Sequence, residues 1–319
     1  YQAYLNACLI LLGNGTPFDR GFDLLSGAAA GLVNDASTGM KIAPNAGGFA
    51  LWGGPHILSL VTEVATRGLK AVRYQKFNNH IRLRPEALAA RLEKAQEIEH
   101  RFSGLCGCFS GMATDLESVI DLIRSHNDRL SGDSTALLPM AFAEGSPMHP
   151  AYGAGHATVA GACVTILKAF FDTSAVFAKI GGVAGFHSKD QIVARLKCGD
   201  SVEAGAYQVK GSGSKLDFER CGVFELVDEK YAAFKPDETL QASCCPLTLE
   251  GELNKLAANI SIGRNMAGVH YFSDYYDSVR MGEEIAIGIL EEQALCYRTN
   301  PFVISVATFD GDILRIGER

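Results

Sequence analysis

Positively charged and imidazole side chains recur in three separated stretches of this sequence, in an order and at spacings that suit the binding of an oxyanion. The residues concerned are, in chain order, Lys76, Arg84, His156, Arg264 and His270, with Gly155 and Asp274 beside the histidines. Lys and Arg hold tetrahedral anions by charge-assisted hydrogen bonds, and His exchanges protons near neutral pH. Each stretch alone carries little weight, because most Lys and Arg side chains lie on solvated surface. The three together form a specific pattern.

The middle stretch predicts a helix that begins at Gly155 and His156. Prolines and glycines precede it, and Val159, Cys163 and Leu167 then follow at helical spacing. At a helix N-terminus the free backbone N–H groups and the positive end of the dipole favour an anion. The alternative is a buried helix start that the histidine merely caps.

The first stretch spans the end of one helix and the start of the next. Pro85 suits the first position of a helix and disfavours a helical conformation at Arg84. Lys76 would therefore end one helix, while Arg84 would lie in the turn before the following one. Two cations at such a break can face one pocket; the alternative is solvated surface charge.

The third stretch requires a break in its helix if both of its basic residues are to face one site. Arg264 and His270 would lie about 120° apart on a continuous helix, at roughly 100° per residue. Gly268, between them, offers that break. Asp274 follows His270 by one helical turn and could orient its ring.

These stretches resemble the vanadium-dependent haloperoxidases, particularly the bromoperoxidases of marine algae and their bacterial and cyanobacterial relatives. The resemblance extends through Leu-Pro-Met-Ala-Phe-Ala-Glu-Gly-Ser-Pro, Leu-Asn-Lys-Leu-Ala and Gly-Arg-Asn-Met-Ala-Gly-Val-His-Tyr-Phe-Ser-Asp. It covers most of the chain and is least clear over residues 172–240. Membrane-lipid and bacterial acid phosphatases share the signature, because vanadate and phosphate are both tetrahedral oxyanions.

The resemblance implies a vanadate cofactor, vanadium(V), with hydrogen peroxide as co-substrate, and it assigns roles to the matching positions. His270 would bond vanadium, with Asp274 orienting its ring, and His156 would be the acid–base group. The catalytic residues would be His156, Lys76 and His270. The vanadate oxygens would be held by Lys76, Arg84, the Gly155 N–H and Arg264.

The resemblance also places Arg73 and His149 on the halide side of the site, and it shows one departure from the family pattern. The family usually has Ser before Gly-His, with its hydroxyl on a vanadate oxygen; here the vanadate-binding position is Ala154. A lost hydrogen bond to a charged group is worth about 1.5–3 kcal/mol. Arg73 and His149 imply a preference for bromide and iodide over chloride, unless Arg73 is only a surface charge.

Composition excludes some classes of partner. The 319-residue chain is 47% hydrophobic and 20% charged, as is typical of globular proteins, and its net charge of -7 disfavours nucleic acid. No apolar run is long enough to span a bilayer, so we expect no membrane partner. The nine cysteines leave at least one unpaired within the chain, and their pairing is not readable. No compartment is indicated.

The fold expected from periodicity and the resemblance is an all-α helical bundle of the haloperoxidase and acid phosphatase type, forming a single vanadate-binding domain over residues 1–319. We expect an irregular insertion at about 172–247 and a C-terminal β-hairpin at about 302–316, turning at Asp310-Gly311. The chain begins with Tyr1 in a stretch that resembles the middle of a helix, so we expect an N-terminal portion of the same protein to precede it. The resemblance also implies a homo-oligomer. Predicted helices cover about 22–32, 57–74, 115–129, 247–264 and 273–297, with others after Pro85 and Gly155.

Three functions remain open on the sequence. A haloperoxidase would oxidise bromide or iodide with hydrogen peroxide and halogenate a small organic acceptor. An acid phosphatase would bind phosphate with the same cationic cradle, formed by Lys76, Arg84, the Gly155 N–H and Arg264. In that case His270 would be the nucleophile and His156 the leaving-group acid. A non-enzymatic oxyanion-binding subunit would have lost activity with Ala154. The length of the match outside the motifs favours the haloperoxidase.

Overall fold

The chain is largely helical, with small antiparallel sheets. The computed structural model describes residues 1–22, 53–105, 107–209, 216–240, 244–297 and 303–317. The helices in these ranges are α1 (Gln2–Gly13), α2 (Gly54–Tyr74), α3 (Pro85–Glu93), α4 (Ala95–Arg101), α5 (Cys108–Asp115), α6 (Glu117–Ser131), α7 (Gly155–Phe170), α8 (Lys189–Lys197), α9 (Leu249–Met266) and α10 (Phe272–Leu295). Across the described ranges, none of them combines the length and apolar character that a membrane span requires.

Most helices follow the apolar periodicity of the sequence. Helix α2 buries Ile57, Leu60, Val61, Val64 and Val72. Pro85 opens α3 as predicted, preceded by Arg84 in an extended conformation (φ -67°, ψ 152°). Helix α7 begins at Gly155, as the sequence predicts.

The chain divides into two compact units, which are described separately. Unit 1 comprises residues 1–67, 159–257 and 282–319; unit 2 comprises residues 68–158 and 258–281. The residues that the sequence nominates for the site all have numbers within unit 2. The expected single domain over 1–319 remains a prediction.

The segment expected to be an irregular insertion contains regular structure, which corrects the all-α expectation. Five antiparallel strands occur in the order β2-β1-β3-β4-β5. They are β1 (Val176–Ile180), β2 (Val183–His187), β3 (Val202–Val209), β4 (Leu216–Val227) and β5 (Tyr231–Pro236). One face packs on α8, where Ile192 joins a buried cluster with Ile180, Val202 and Phe224. Glycine-rich connections and polar residues within the strands interrupt the alternation of apolar and polar residues, so the periodicity of the sequence does not predict this sheet.

The C-terminal hairpin has a wider turn than the sequence suggests. Strands β6 (Ile304–Ala307) and β7 (Ile313–Ile316) pair antiparallel, and the last pair is Ala307 with Ile313. The turn therefore spans residues 308–312 rather than Asp310-Gly311 alone. Its Phe309 N–H donates to Glu283 Oε1 at 2.9 Å, a tertiary contact that a two-residue turn would not supply.

Two further expectations need comment. The helix predicted at about 115–129 begins later, at Glu117 with Leu116 as its N-cap, because Asp115 ends α5. The reason is that α5 and α6 follow each other with only a single non-helical residue between them. The short helix expected at about 22–32 lies almost wholly outside the described residues.

Candidate active site

The loop that leads into α7 is held by close packing of the Gly153 backbone against the side chains of Ser278 and Val72. A side chain on Gly153 would lie 2.6 Å from Ser278 Oγ and 3.2 Å from Val72, so only glycine fits there. That serine accepts a hydrogen bond from the N–H of Ala154 at 2.8 Å. Ala154 is fully buried, and its methyl group supplies no hydrogen-bond donor. Gly155 follows as the first residue of the helix, where backbone N–H groups lack a partner within the helix itself and can bind an anion.

Lys76 is a buried cation. It lies in a π-helical turn, Gln75–His80, directly after α2, and is only 3% exposed. Its Nζ donates to the carbonyl oxygens of Pro150 at 2.7 Å and Ala151 at 3.2 Å. Burial, together with repulsion from Arg84, lowers the pKa of Lys76 to about 8.

Arg84 is also buried, with 5% exposure, and it joins three parts of the site. Its Nε donates to the His149 carbonyl at 2.8 Å and its Nη2 contacts His149 Nδ1 at 2.9 Å. Its Nη1 donates to the Val269 carbonyl at 2.7 Å and lies 3.1 Å from His270 Nε2. Burial lowers the pKa of this guanidinium, which nevertheless stays charged at neutral pH.

The contacts of His270 fix its tautomer. A guanidinium only donates hydrogen bonds, so Nε2 must be the acceptor from Arg84. The proton therefore resides on Nδ1, which lies 3.0 Å from Asp274 Oδ2. The break predicted at Gly268 is present, at φ 79°, and precedes this turn. Burial, and after it the charges of Arg84 and Lys76, lower the pKa of His270, so Nε2 keeps a lone pair at neutral pH.

His156 pairs with the remaining cation. Its Nε2 lies 2.5 Å from Arg264 Nη2, and it too must accept, because guanidinium has no lone pair to offer. Desolvation and then the charges of Arg264, His270 and Lys76 lower the pKa of His156 to about 4. This ring is therefore neutral at pH 7 and can accept a proton.

The charge balance of this cluster fits an anion. Lys76, Arg84 and Arg264 bring positive charge together, while the buried carboxylate beside them, Asp274, is already bonded to Arg82 as well as His270. Burying cations without matching carboxylates is costly. A bound oxyanion would supply the missing charge, and the N–H donors and imidazoles present are groups that bind vanadate or phosphate.

The two residues expected on the halide side are both exposed, but within the described ranges the structure connects only His149 to this cluster. His149 is exposed and in contact with Arg84. Desolvation, and after it the charges of Lys76, Arg84 and His270, lower its pKa despite an opposing hydrogen bond to the Pro150 carbonyl. Arg73 is exposed in the last turn of α2 and, among the described residues, makes none of the contacts that connect the other site residues.

The sequence did not predict that Arg82 and Ser278 support the site residues. Arg82 Nη1 donates to Asp274 Oδ1 at 2.7 Å, yet nothing in its spacing distinguishes it from a surface cation. Ser278 follows Asp274 by four residues on α10, so it lies on the same helix face. That spacing was the available signal for Ser278.

Comparisons with known proteins identify relatives that match along nearly the whole chain. No protein-family model matches the chain. It is 41% identical over 324 residues to a vanadium-dependent bromoperoxidase of Corallina pilulifera, covering 99% of this chain and 44% of the relative. A vanadium-dependent bromoperoxidase of Corallina officinalis is 40% identical, with the same coverage. The chain thus spans less than half the length of these relatives.

A solved structure supports the same conclusion for the fold. The homohexameric structure of the second vanadate-dependent bromoperoxidase of Ascophyllum nodosum matches with a TM-score of 0.55 and 22% identity, covering 93% of this chain and 44% of that one. At that identity the match concerns architecture alone. Taken with the sequence identities, it shows that this chain is, over nearly its whole length, a homologue of part of the vanadium-dependent bromoperoxidases.

Proposed function

We propose that unit 2 binds vanadate and that the protein containing this chain is a vanadium-dependent bromoperoxidase. In this proposal it uses hydrogen peroxide to oxidise bromide or iodide to hypohalous acid, which halogenates a small organic acceptor. The names of the Corallina relatives support the activity. The observation that carries it is the pair of buried cations, Lys76 and Arg84, beside an imidazole whose unprotonated Nε2 faces Arg84.

Each residue of the site has a role that follows from its contacts. Lys76, Arg84 and Arg264 hold the oxyanion through charge-assisted hydrogen bonds, and the Gly155 N–H adds the helix N-terminus. His270 offers Nε2 as the vanadium ligand while Asp274 keeps the proton on Nδ1. A bound vanadate would supply Lewis-acid activation of hydrogen peroxide toward a halide.

The proton chemistry falls to His156. Its pKa near 4 keeps the ring neutral at pH 7, so it can take a proton from hydrogen peroxide. Because Arg264 donates to the same Nε2, an oxyanion oxygen that attracts Arg264 would free that nitrogen. Anion binding would thus prepare the base, and the added negative charge would raise its pKa.

The halide preference forms part of the proposal. His149 and Arg73 are both exposed, so we propose a hydrated halide side. Water raises the local dielectric and weakens the pull of the cations on bound peroxide. Bromide and iodide are easier to oxidise than chloride, so we propose that they are the substrates.

An acid phosphatase is the second candidate, and the His270–Asp274 pair favours it specifically. An imidazole with its Nδ1–H on a buried carboxylate presents Nε2 as a nucleophile, and His156 could protonate a leaving group. The haloperoxidase takes precedence because its named relatives match along the whole chain.

The deciding experiment measures bound vanadium and activity on the full-length protein. After incubation with vanadate and gel filtration, elemental analysis should find vanadium retained, and the sample should brominate a phenol dye with bromide and hydrogen peroxide. Hydrolysis of a phosphate monoester without bromination would favour the phosphatase. Retention with neither activity would indicate a binding subunit that has lost catalysis.

Replacement of His270 tests the ligand. His270→Ala should abolish vanadium retention and lower bromination by at least about 100-fold, because a direct ligand should matter more than the supporting residues that cost 10–100-fold. His126→Ala, at an exposed histidine of α6, is the matched control and should behave as the wild type. Full activity in His270→Ala would show that another group binds the metal.

We also propose that the protein assembles as a homo-oligomer. The support is the homohexameric state of the Ascophyllum nodosum structure that shares this fold. Sedimentation of the full-length protein would measure its mass directly.

A further inference from the structure

Arg82 contacts the carboxylate that orients the proposed vanadium ligand. Asp274 is fully buried, and its Oδ2 accepts from His270 Nδ1 and from the Tyr271 N–H, each at 3.0 Å. Its other oxygen, Oδ1, accepts from Arg82 Nη1 at 2.7 Å. Among the described residues, Arg82 is the hydrogen-bond partner of Asp274 Oδ1. The two oxygens of one buried carboxylate are therefore held by different groups, which fixes the plane of the carboxylate.

Arg82 is itself held in place. The same Nη1 also donates to Ser273 Oγ at 2.9 Å. The guanidinium carbon lies 4.8 Å from the centre of the Tyr271 ring and 5.8 Å from that of Tyr152, within the range of cation–π attraction. Aromatic rings and a hydroxyl thus restrict the guanidinium beyond what a surface ion pair would achieve.

The outer face of Arg82 opens to a cavity. Its side chain is 42% exposed, and with Tyr152, Ser273 and Asp277 it lines a cavity of about 380 Å³. One edge of Arg82 therefore meets a fully buried carboxylate while another is accessible from solvent. An exposed ion pair would stabilise little, but this pair has one fully buried partner.

We propose that Arg82 is a positioning residue for the oxyanion site. It fixes the Asp274 carboxylate, the carboxylate fixes the His270 ring, and the ring then presents Nε2 toward the anion that Lys76 and Arg84 hold. This inference rests on the proposed binding of vanadate at His270. It adds a residue, outside the cradle, on which the ligand bond depends.

A comparison of two anions separates this role from general structural support. Vanadate would bond to His270 Nε2, whereas inorganic phosphate would be held only by the cationic cradle. A residue that positions the ring should therefore affect vanadate and spare phosphate. A residue that merely stabilises unit 2 should affect both anions together with the melting temperature.

The variants are Arg82→Gln and Arg82→Lys in the full-length protein, with Arg124→Gln as the matched control. Arg124 is 41% exposed and bonds Glu93 in the same unit, remote in sequence from the site residues. We expect Arg82→Gln to weaken the Kd for vanadate about 10- to 100-fold, as supporting residues of metal ligands do. The Kd for phosphate should stay within about twofold, and Arg124→Gln should change neither. Arg82→Lys should recover part of the vanadate affinity.

Chemical rescue uses the cavity. Arg82→Ala would extend the space open to solvent up to Asp274, so added ethylguanidinium should restore vanadate binding to this variant but not to His270→Ala. Wild-type vanadate affinity in both Arg82→Gln and Arg82→Lys would overturn the inference, as would equal losses for the two anions. If the wild-type protein bound neither anion, the proposed function would fail, and this inference with it.

Discussion

At the scale of single residues, the site is organised by which nitrogen of each histidine carries the proton. Arg84 donates to His270 Nε2 and Arg264 donates to His156 Nε2, so both rings present lone pairs toward guanidinium groups. An oxyanion attracts the same N–H donors. In the proposed function, anion binding would therefore draw these donors away and release both nitrogens.

The residue scale also gives a prediction about Ala154. Ala154→Ser should tighten vanadate binding about tenfold or more, since a hydrogen bond to a charged group is worth about 1.5–3 kcal/mol. Because the site of substitution is fully buried, the new hydroxyl should lower the melting temperature until vanadate supplies its partner. Anion titration and thermal unfolding, with and without vanadate, measure both effects. Unchanged affinity would mean that the hydroxyl is turned away from the anion.

Residue types and spacing were sufficient to nominate the candidate site, but not its supporting contacts. Lys76, Arg84 and His270 occur in a pattern that a known chemistry explains. Arg82 has no such pattern, because its role depends on a carboxylate almost 200 positions away in the sequence, at 2.7 Å in space. Contacts between distant segments have no local signal in a single sequence.

At the scale of elements, helices were predictable and the sheet was not. Helix α2 buries one face at helical spacing, and Pro85 and Gly155 begin helices for local reasons. Strands β3 and β4 pair with a shift of register between Ala204 and Gly205, so their alternation is interrupted. Their stability comes from cross-strand pairing and from packing on α8, which the sequence alone does not display.

One element-scale prediction concerns a buried ion pair in unit 1. Lys168 of α7 is fully buried, with its Nζ 3.8 Å from Glu283 Oε1 and 3.9 Å from the centre of the Phe309 ring. Removal of one partner leaves an unpaired buried charge, so Glu283→Gln should lower the free energy of unfolding by about 3–5 kcal/mol. Urea denaturation measures this.

The same experiment includes the other partner and a control. Lys168→Met combined with Glu283→Gln should cost less than the sum of the single changes, because neither charge is then left unpaired. Lys255→Met breaks an exposed pair with Glu252 in the same unit and should cost at most about 1 kcal/mol. Strict additivity would show that Lys168 and Glu283 do not interact.

At the scale of the whole molecule, the positive cluster contrasts with the net charge of -7. An acidic surface repels anions at long range, so affinity for an oxyanion must come from short-range bonds within unit 2 rather than from steering. Added salt should therefore change the rate of vanadate association, whereas it should have little effect on the buried contacts that Lys76 and Arg84 make.

The stability of the whole chain should fall in mild acid because several histidines are held neutral. The folded-state pKa of His156 is about 4, well below its ordinary value of 6.5, and those of His56, His149, His187 and His270 are lowered as well. Between about pH 6.5 and 4 the unfolded chain therefore binds more protons than the folded one, so the free energy of unfolding decreases as the pH falls.

The substitution His156→Gln removes one of these titrating rings and should therefore give a shallower decline of the free energy of unfolding. His126→Gln, at an exposed position, should follow the wild type. Urea unfolding at intervals between pH 7 and pH 4 measures the slopes. A decline of equal steepness in wild type and His156→Gln would show that this ring binds protons equally in the folded and unfolded states, so that folding does not lower its pKa.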